Sequence, residues 1–244
     1  MSPRDQPGQA VGVLGGTFDP VHLGHLRIAV ETCRILELSR TLLVPTAVPP
    51  HKPADELSPL HHRMAMLQLA VSESDPIEIC PLEAERDRVC YTIDTLRALR
   101  DGRPACRPVF ILGMDSLLQI TIWRDWQALL REFDLAVIER AESRTRVDDR
   151  LDPRLADRLV TLDTGSPAAG RVDELQPGRG GRIFRLPIGP IPISSSAIRV
   201  RARSGLALGS LVPPAVAEYI QSSGLYLTEV RTDHEDSPGG HPQR

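Results

Sequence analysis

Short apolar bursts alternate along this chain with longer stretches whose apolar residues recur every three or four positions. Residues 10–14 form a compact apolar run that stops at Gly15-Gly16, the pattern of a buried strand ended by a turn. Leu26, Ala29, Val30, Cys33 and Leu36 follow at helical spacing, so a helix comes next. Residues 41–44 predict a second strand, stopped by Pro45. Ser58 and Pro59 read as an N-cap and a first-turn proline, ahead of the apolar stripe Leu60, Met64, Leu67 and Val71. Residues 77–80, 108–112, 135–138 and 183–186 predict four more strands. Residues 92–100, 126–130, 195–203 and 213–222 predict helices.

Strands that alternate with helices imply a parallel sheet with right-handed crossovers. Parallel strands are covered on both faces, which suits short all-apolar runs. The expectation is an α/β protein: a single doubly wound Rossmann-like domain over residues 9–230, with a mainly parallel five- to six-stranded sheet and C-terminal helices. Ligands of such folds sit beyond the C-terminal strand ends, where the strand order reverses. Two segments fall outside the pattern. Residues 163–182 carry five Gly and two Pro and read as a flexible surface loop. Residues 231–244 are polar, contain Pro-Gly-Gly and read as a disordered tail.

A length of 244 residues is enough for a substantial core without covalent staples. The 29 basic and 32 acidic residues leave a net charge of −3, which argues against nucleic acid as a partner, since that footprint is strongly basic. No apolar run approaches the ~18–20 residues of a membrane span, and the polar start of the chain has no signal-peptide core. No membrane association and a cytoplasmic location are therefore expected. Cys33, Cys80, Cys90 and Cys106 are scattered without a C-x-x-C pair, so neither a zinc site nor a disulfide framework is suggested. Lys52 is the one lysine in a chain that otherwise uses arginine.

The chemistry concentrates in Gly15-Gly16-Thr17-Phe18-Asp19-Pro20-Val21-His22-Leu23-Gly24-His25-Leu26, at the first strand-to-helix junction. Paired glycines let a backbone turn tightly and approach a ligand closely. A helix starting near Gly24 aims N–H groups and a partial positive charge at the same place, which is an anion site. His22 and His25, three residues apart, share one face, and both can donate to phosphate oxygens. A histidine pair at this spacing could equally ligate a metal or be ordinary packed or surface histidine. The turn, helix start and His-x-Gly-His together make phosphate binding the leading reading. No G-K-[ST] follows, so this is not a P-loop, and G-x-G-x-x-G is absent.

With that segment the sequence resembles the nucleotidyltransferase superfamily that carries a T/H-x-G-H signature, and more narrowly the bacterial nicotinate-nucleotide adenylyltransferase family. The resemblance is distributed over residues 10–227. It also rests on Val48-Pro49-Pro50-His51-Lys52, on Tyr91-Thr92-Ile93-Asp94-Thr95-Leu96 and on Gly113-Met114-Asp115-Ser116-Leu117-Leu118 with Trp123 following. The last segments are Ile193-Ser194-Ser195-Ser196-Ala197-Ile198-Arg199, Leu211-Val212-Pro213 and Tyr219-Ile220.

The resemblance implies transfer of AMP from ATP to nicotinate mononucleotide by direct in-line displacement, with nicotinate adenine dinucleotide and pyrophosphate as products and Mg²⁺ accompanying ATP. It implies catalytic roles for His22, His25, Lys52 and Arg199. ATP would be held at Gly15, Gly16, Thr17 and Phe18, by His22 and His25, and by Ser195, Ser196 and Arg199. Nicotinate mononucleotide would be held by Thr17, Lys52, Thr92, Asp115 and Trp123. No dedicated metal ligands are expected, and a homo-oligomer is left open.

The residues also have readings of their own. Lys52, between Pro50 and Pro53 on a stiff loop, is either a solvated cation or a compact ammonium for phosphate. Ser194 or a neighbour explains a helix cap, and three serines followed by Arg199 suggest a second phosphate grip. Asp115, at a strand's C-terminal end, suits a ribose hydroxyl or a helix cap. Trp123 is core filler or a platform for a flat ring. Asp19 and Asp94 read as local cap or turn residues, and Arg86-Asp87-Arg88 as a solvated turn. Arg124 stands where some relatives would carry a second aromatic, and residues 139–182 match nothing residue by residue. A sibling transferase using nicotinamide mononucleotide or pantetheine phosphate, or a nucleotide-binding regulator without turnover, are the alternatives.

Overall fold

The computed structural model describes residues 9–47, 57–86, 89–104, 106–138, 151–162, 181–189 and 191–227. Seven parallel strands form one sheet: β1 (Gln9–Gly16), β2 (Thr41–Pro45), β3 (Ile77–Ile79), β4 (Cys106–Gly113), β5 (Asp134–Ile138), β6 (Leu159–Thr161) and β7 (Ile183–Leu186), in the order β3-β2-β1-β4-β5-β7-β6. The helices are α1 (Leu23–Leu36), α2 (Leu60–Ala70), α3 (Thr92–Gly102), α4 (Met114–Leu118), α5 (Trp126–Glu132), α6 (Pro153–Ala156), α7 (Ser195–Arg203) and α8 (Pro214–Ser222).

Alternation along each strand feeds two separate apolar layers. Ala10 and Leu14, Val109 and Ile111, and Ala136 and Ile138 face the layer that includes Ala29 and Cys33 of α1 and Val216 and Ile220 of α8. Val11 and Val13, Phe110 and Leu112, and Leu135 and Val137 face the layer of Leu96, Leu117 and Leu129 from α3, α4 and α5. Coverage of both faces is the physical content of the doubly wound expectation. No helix among the described residues is long and apolar enough to cross a membrane.

Two differences from the sequence expectation have clear causes. The sheet has seven strands rather than five or six, because Leu159–Thr161 adds a parallel edge strand beside β7. It is only three residues long and half-buried to exposed, and the sequence pattern does not single it out. Strand β4 begins at Cys106 rather than Pro108. Proline lacks an amide proton, but β5 pairs with β4 only from Val109 onward, so Pro108 faces a partner strand on the β1 side alone. The expected tail, residues 231–244, lies outside the described residues, and so does the expected loop, residues 163–182, apart from Gly181 and Arg182.

The strand order reverses between β1 and β4: the chain runs outward through β2 and β3 on one side and through β4 and β5 on the other. The C-terminal ends of these two neighbours are Gly15-Gly16 and Gly113, so the crevice of the doubly wound sheet opens at the motif singled out above.

Candidate active site

The first β-to-α corner is built differently from the simple glycine turn the sequence suggests. Gly15 and Gly16 are the last residues of β1, in register with Val44 and Pro45. The left-handed residue is Phe18, at φ 48°, and its ring is buried. A Cβ at Gly15 would meet open space, whereas one at Gly16 would touch the Phe18 ring at 3.4 Å. Gly15 thus leaves room above the strand end, and Gly16 lets Phe18 fold back beneath it.

Helix α1 starts on a reciprocal cap made by the two histidines. His22 is the N-cap residue, its Nδ1 accepting from the His25 amide at 3.3 Å. The His25 Nδ1 accepts in return from the His22 amide at 3.3 Å. A nitrogen that accepts carries no proton, so both neutral rings bear their proton on Nε2. The rings stack at 3.6 Å and 17°, and His25 meets the edge of Phe18 at 5.0 Å. The cap takes up first-turn donors that would otherwise face a ligand: Leu23 donates to the Leu211 carbonyl at 2.9 Å and His25 to His22. The donors aimed outward are therefore imidazole N–H groups more than helix amides.

Burial and the neighbouring His22 lower the His25 pKa to about 3, so this ring is neutral at physiological pH and acts as a hydrogen-bond donor rather than a resident cation. The sign for stability follows. The unfolded imidazole takes a proton below about pH 6.5, and the folded one does not until about 3. Stability is full above 6.5 and falls as pH drops through that window, by at most about 1.4 kcal/mol per pH unit. Urea melts from pH 7 to pH 4 are expected to fall less steeply for His25→Gln than for the wild type. Equal slopes would remove His25 as the cause.

Gly24, between the histidines, has no room for a side chain: a Cβ would lie 2.7 Å from Ile191 Cγ2 and 2.9 Å from His22 Nδ1. Gly24→Ala is expected to cost about 1–3 kcal/mol by overpacking and to push the His22 ring off its stack. Turnover should fall more than the thermal midpoint suggests, measured by steady-state kinetics beside a thermal melt.

Helix α7 docks on the same corner. Ser194 caps it, accepting from the Ala197 amide at 3.2 Å. The Ser195 hydroxyl donates to the Pro20 carbonyl at 3.0 Å. Arg199 donates to the Asp19 carbonyl at 2.8 Å and to the Ser196 hydroxyl at 3.4 Å. Sequence reasoning missed three residues here. Asp19, fully buried, accepts from the Tyr226 hydroxyl at 2.6 Å and from the Ser58 amide at 3.1 Å. Ser58 is thus not a cap: α2 begins after Pro59 with no side-chain cap bond. Arg63, also buried, donates to the carbonyls of Thr17 and Thr46 at 2.8 Å each and of Ser58 at 3.0 Å. Burial lowers the Arg63 pKa, and Asp19 and Tyr226 oppose that shift. An Arg within a helix carries no sequence signal of such a role.

Two cavities flank the end of β1. One, about 270 Å³, is lined by His22, His25, Gly113, Ile191, Ser194 and Ser195 among others. The second, about 450 Å³, lies toward α3 and is lined by Gly15, Gly16, Thr17, Thr92, Glu83 and Trp123 among others. Thr92 is the first residue of α3, whose N-cap Tyr91 makes no side-chain cap bond. Trp123 packs at 6.1 Å, edge to face, on Phe110 and also lines the second cavity. Arg124 lies over the Tyr91 ring at 4.6 Å. Asp115 is exposed in the first turn of α4 at the β4 edge and does not line either cavity. Asp94 sits in the first turn of α3. Lys52 and Asp87-Arg88 lie outside the described residues.

The family model described as cytidylyltransferase-like matches residues 13–201. The chain is 37% identical over 217 residues, 89% of its length and 95% of the relative's, to the probable nicotinate-nucleotide adenylyltransferase of Symbiobacterium thermophilum. It is 38% identical over 220 residues, 90% of its length and 98% of the relative's, to the protein of that name from Pseudomonas fluorescens. Among solved structures, the Plasmodium falciparum nicotinic acid mononucleotide adenylyltransferase complexed with NaAD superposes with a TM-score of 0.63 at 20% identity, over 89% of this chain and 97% of that one. At that identity the superposition speaks for the fold.

Proposed function

The chain belongs to the cytidylyltransferase-like family, and from that membership and the two cavities at its strand-order reversal we propose that it transfers AMP from ATP to nicotinate mononucleotide, yielding nicotinate adenine dinucleotide and pyrophosphate, a step of NAD biosynthesis. Relatives over nine-tenths of their own length bear the name of that activity. The observation that carries the reading is the paired imidazole cap, which lines one cavity and stands between β1 and the N-terminus of α7.

In the reaction a 5′-phosphate oxygen of nicotinate mononucleotide attacks the α-phosphorus of ATP. The bond from that phosphorus to the oxygen bridging to the β-phosphate breaks, and pyrophosphate leaves with the electron pair. No protein nucleophile takes part, so the chain's contribution is position and charge. The 270 Å³ cavity takes ATP. There the Nε2–H groups of His22 and His25 donate to phosphate oxygens, with Arg199, Ser195 and Ser196 at the α7 end and the backbone of Gly15, Gly16, Thr17 and Phe18 beneath. Lys52 adds an ammonium.

The 450 Å³ cavity takes the mononucleotide. Trp123 stacks on its ring, the amides at Thr92 meet its carboxylate, Thr17 meets its phosphate, and Asp115, in the first turn of α4, reaches a ribose hydroxyl. Among the described residues no cluster of His, Cys, Asp or Glu is placed to hold a metal ion, so Mg²⁺ would come with ATP, bound mainly by phosphate oxygens and water, and would supply neutralisation of phosphate charge.

The test is an acceptor panel. Purified protein is mixed with ATP, Mg²⁺ and either nicotinate mononucleotide, nicotinamide mononucleotide or pantetheine phosphate, and pyrophosphate is measured. The expected result is release that is fastest with nicotinate mononucleotide. Fastest release with another acceptor, or nucleotide binding with no release at all, overturns the assignment.

A further inference from the structure

Glu83 is a buried carboxylate that the proposed reaction does not use. It follows β3, is 7% exposed and lines the 450 Å³ cavity with Trp123 and Thr92. It is the one ionisable group among the described residues lining that cavity. One carboxylate oxygen accepts the Thr95 hydroxyl at 2.6 Å. Thr95 is itself buried and lies on α3 one turn beyond Thr92, so the acid is fixed against a rigid helix. Burying a carboxylate with one hydrogen bond is costly unless a cation or further donors meet it. No basic side chain among the described residues pairs with Glu83.

The cavity therefore has three chemically distinct walls: an indole, a helix amino end and a carboxylate. A flat ring that is cationic at one atom and anionic at another fits all three, since the indole and Glu83 favour positive charge and the helix start favours negative charge. We propose that Glu83, held in place by Thr95, is the counter-charge to the positively charged pyridinium ring of the acceptor and sets a preference for the oxidised over the reduced mononucleotide. This rests on the acceptor reading given above and extends it from shape to charge.

The test compares dissociation constants of nicotinate mononucleotide and its 1,4-dihydro form, whose ring is neutral, for the wild type, Glu83→Gln and Glu83→Asp. Loss of stacking on reduction is common to all three proteins, so the ratio of the two constants isolates Glu83. The wild type is expected to prefer the oxidised ring, Glu83→Gln to lose about tenfold of that preference, and Glu83→Asp to keep most of it, with the KM for ATP unchanged throughout. An unchanged ratio in Glu83→Gln overturns the proposal and makes Glu83 a structural partner of Thr95. Should Glu83→Gln fail to fold, the wild type and Glu83→Asp decide: no oxidised-ring preference in either overturns it. Failure of the acceptor reading looks different, since the wild type would then bind neither form.

Discussion

His25→Ala lowers kcat/KM by about 10²–10³ while the protein stays folded, the cost typical of removing one donor that stabilises developing charge. The structure gives the loss its reason. The His25 proton is confined to Nε2 because Nδ1 is occupied by the His22 amide, and the ring is locked between His22 at 3.6 Å and Phe18 at 5.0 Å. A donor fixed in this way needs no reorganisation as charge moves onto pyrophosphate. It is also neutral before substrate arrives, since burial and His22 keep its pKa near 3, so the rate should show no ionisation of this group between pH 5 and 8. His25→Gln, which can place an N–H near the same point, should recover part of the loss. Circular dichroism and a thermal melt check that the lost half of the α1 cap, worth about 1 kcal/mol, is not what stops turnover. A folded alanine variant with wild-type turnover would falsify the role of the imidazole cap.

Arg63→Met should lower stability by about 3–5 kcal/mol, because the half-buried carbonyls of Thr17, Thr46, Ala47 and Ser58 lose charged donors at once and each orphaned group costs about 1–3 kcal/mol. In a chain of this size that is a fall of about 10 °C in the thermal midpoint. Arg63 joins the corner after β1, through Thr17, to the segment after β2, through Thr46, and to Ser58. Asp19 joins Ser58 to Tyr226 in turn. The variant is therefore expected to raise the KM values for both substrates as well, since it loosens the ground both cavities share. A melt unchanged within about 1 kcal/mol would mean that water takes over those carbonyls and that the guanidinium is dispensable.

The corner motif was readable because its residue types are unusual where they stand: two glycines at a strand end and two histidines at a helix start. Arg63, Asp19 and Tyr226 were not, because each is an ordinary residue in its own segment. Their partners lie 46, 39 and 207 positions away in the chain. The seventh strand escaped for a related reason, since Leu159–Thr161 is only three residues long and is defined by its pairing with Ile183–Arg185.

By itself the sequence determined the alternation of strands and helices, the parallel sheet and the place of the glycine- and histidine-bearing corner. Those follow from short-range periodicity and turn chemistry, which act within a few residues. The tertiary structure alone decided the strand order, and with it the switch point between β1 and β4. It also decided which imidazole nitrogen carries the proton, how one buried guanidinium braces two loops, and that Glu83 shares a cavity with Trp123. The imidazole protons are settled locally, between His22 and His25; the others depend on groups distant in sequence coming together, where an unpaired charge or hydrogen-bonding group is too costly to leave alone.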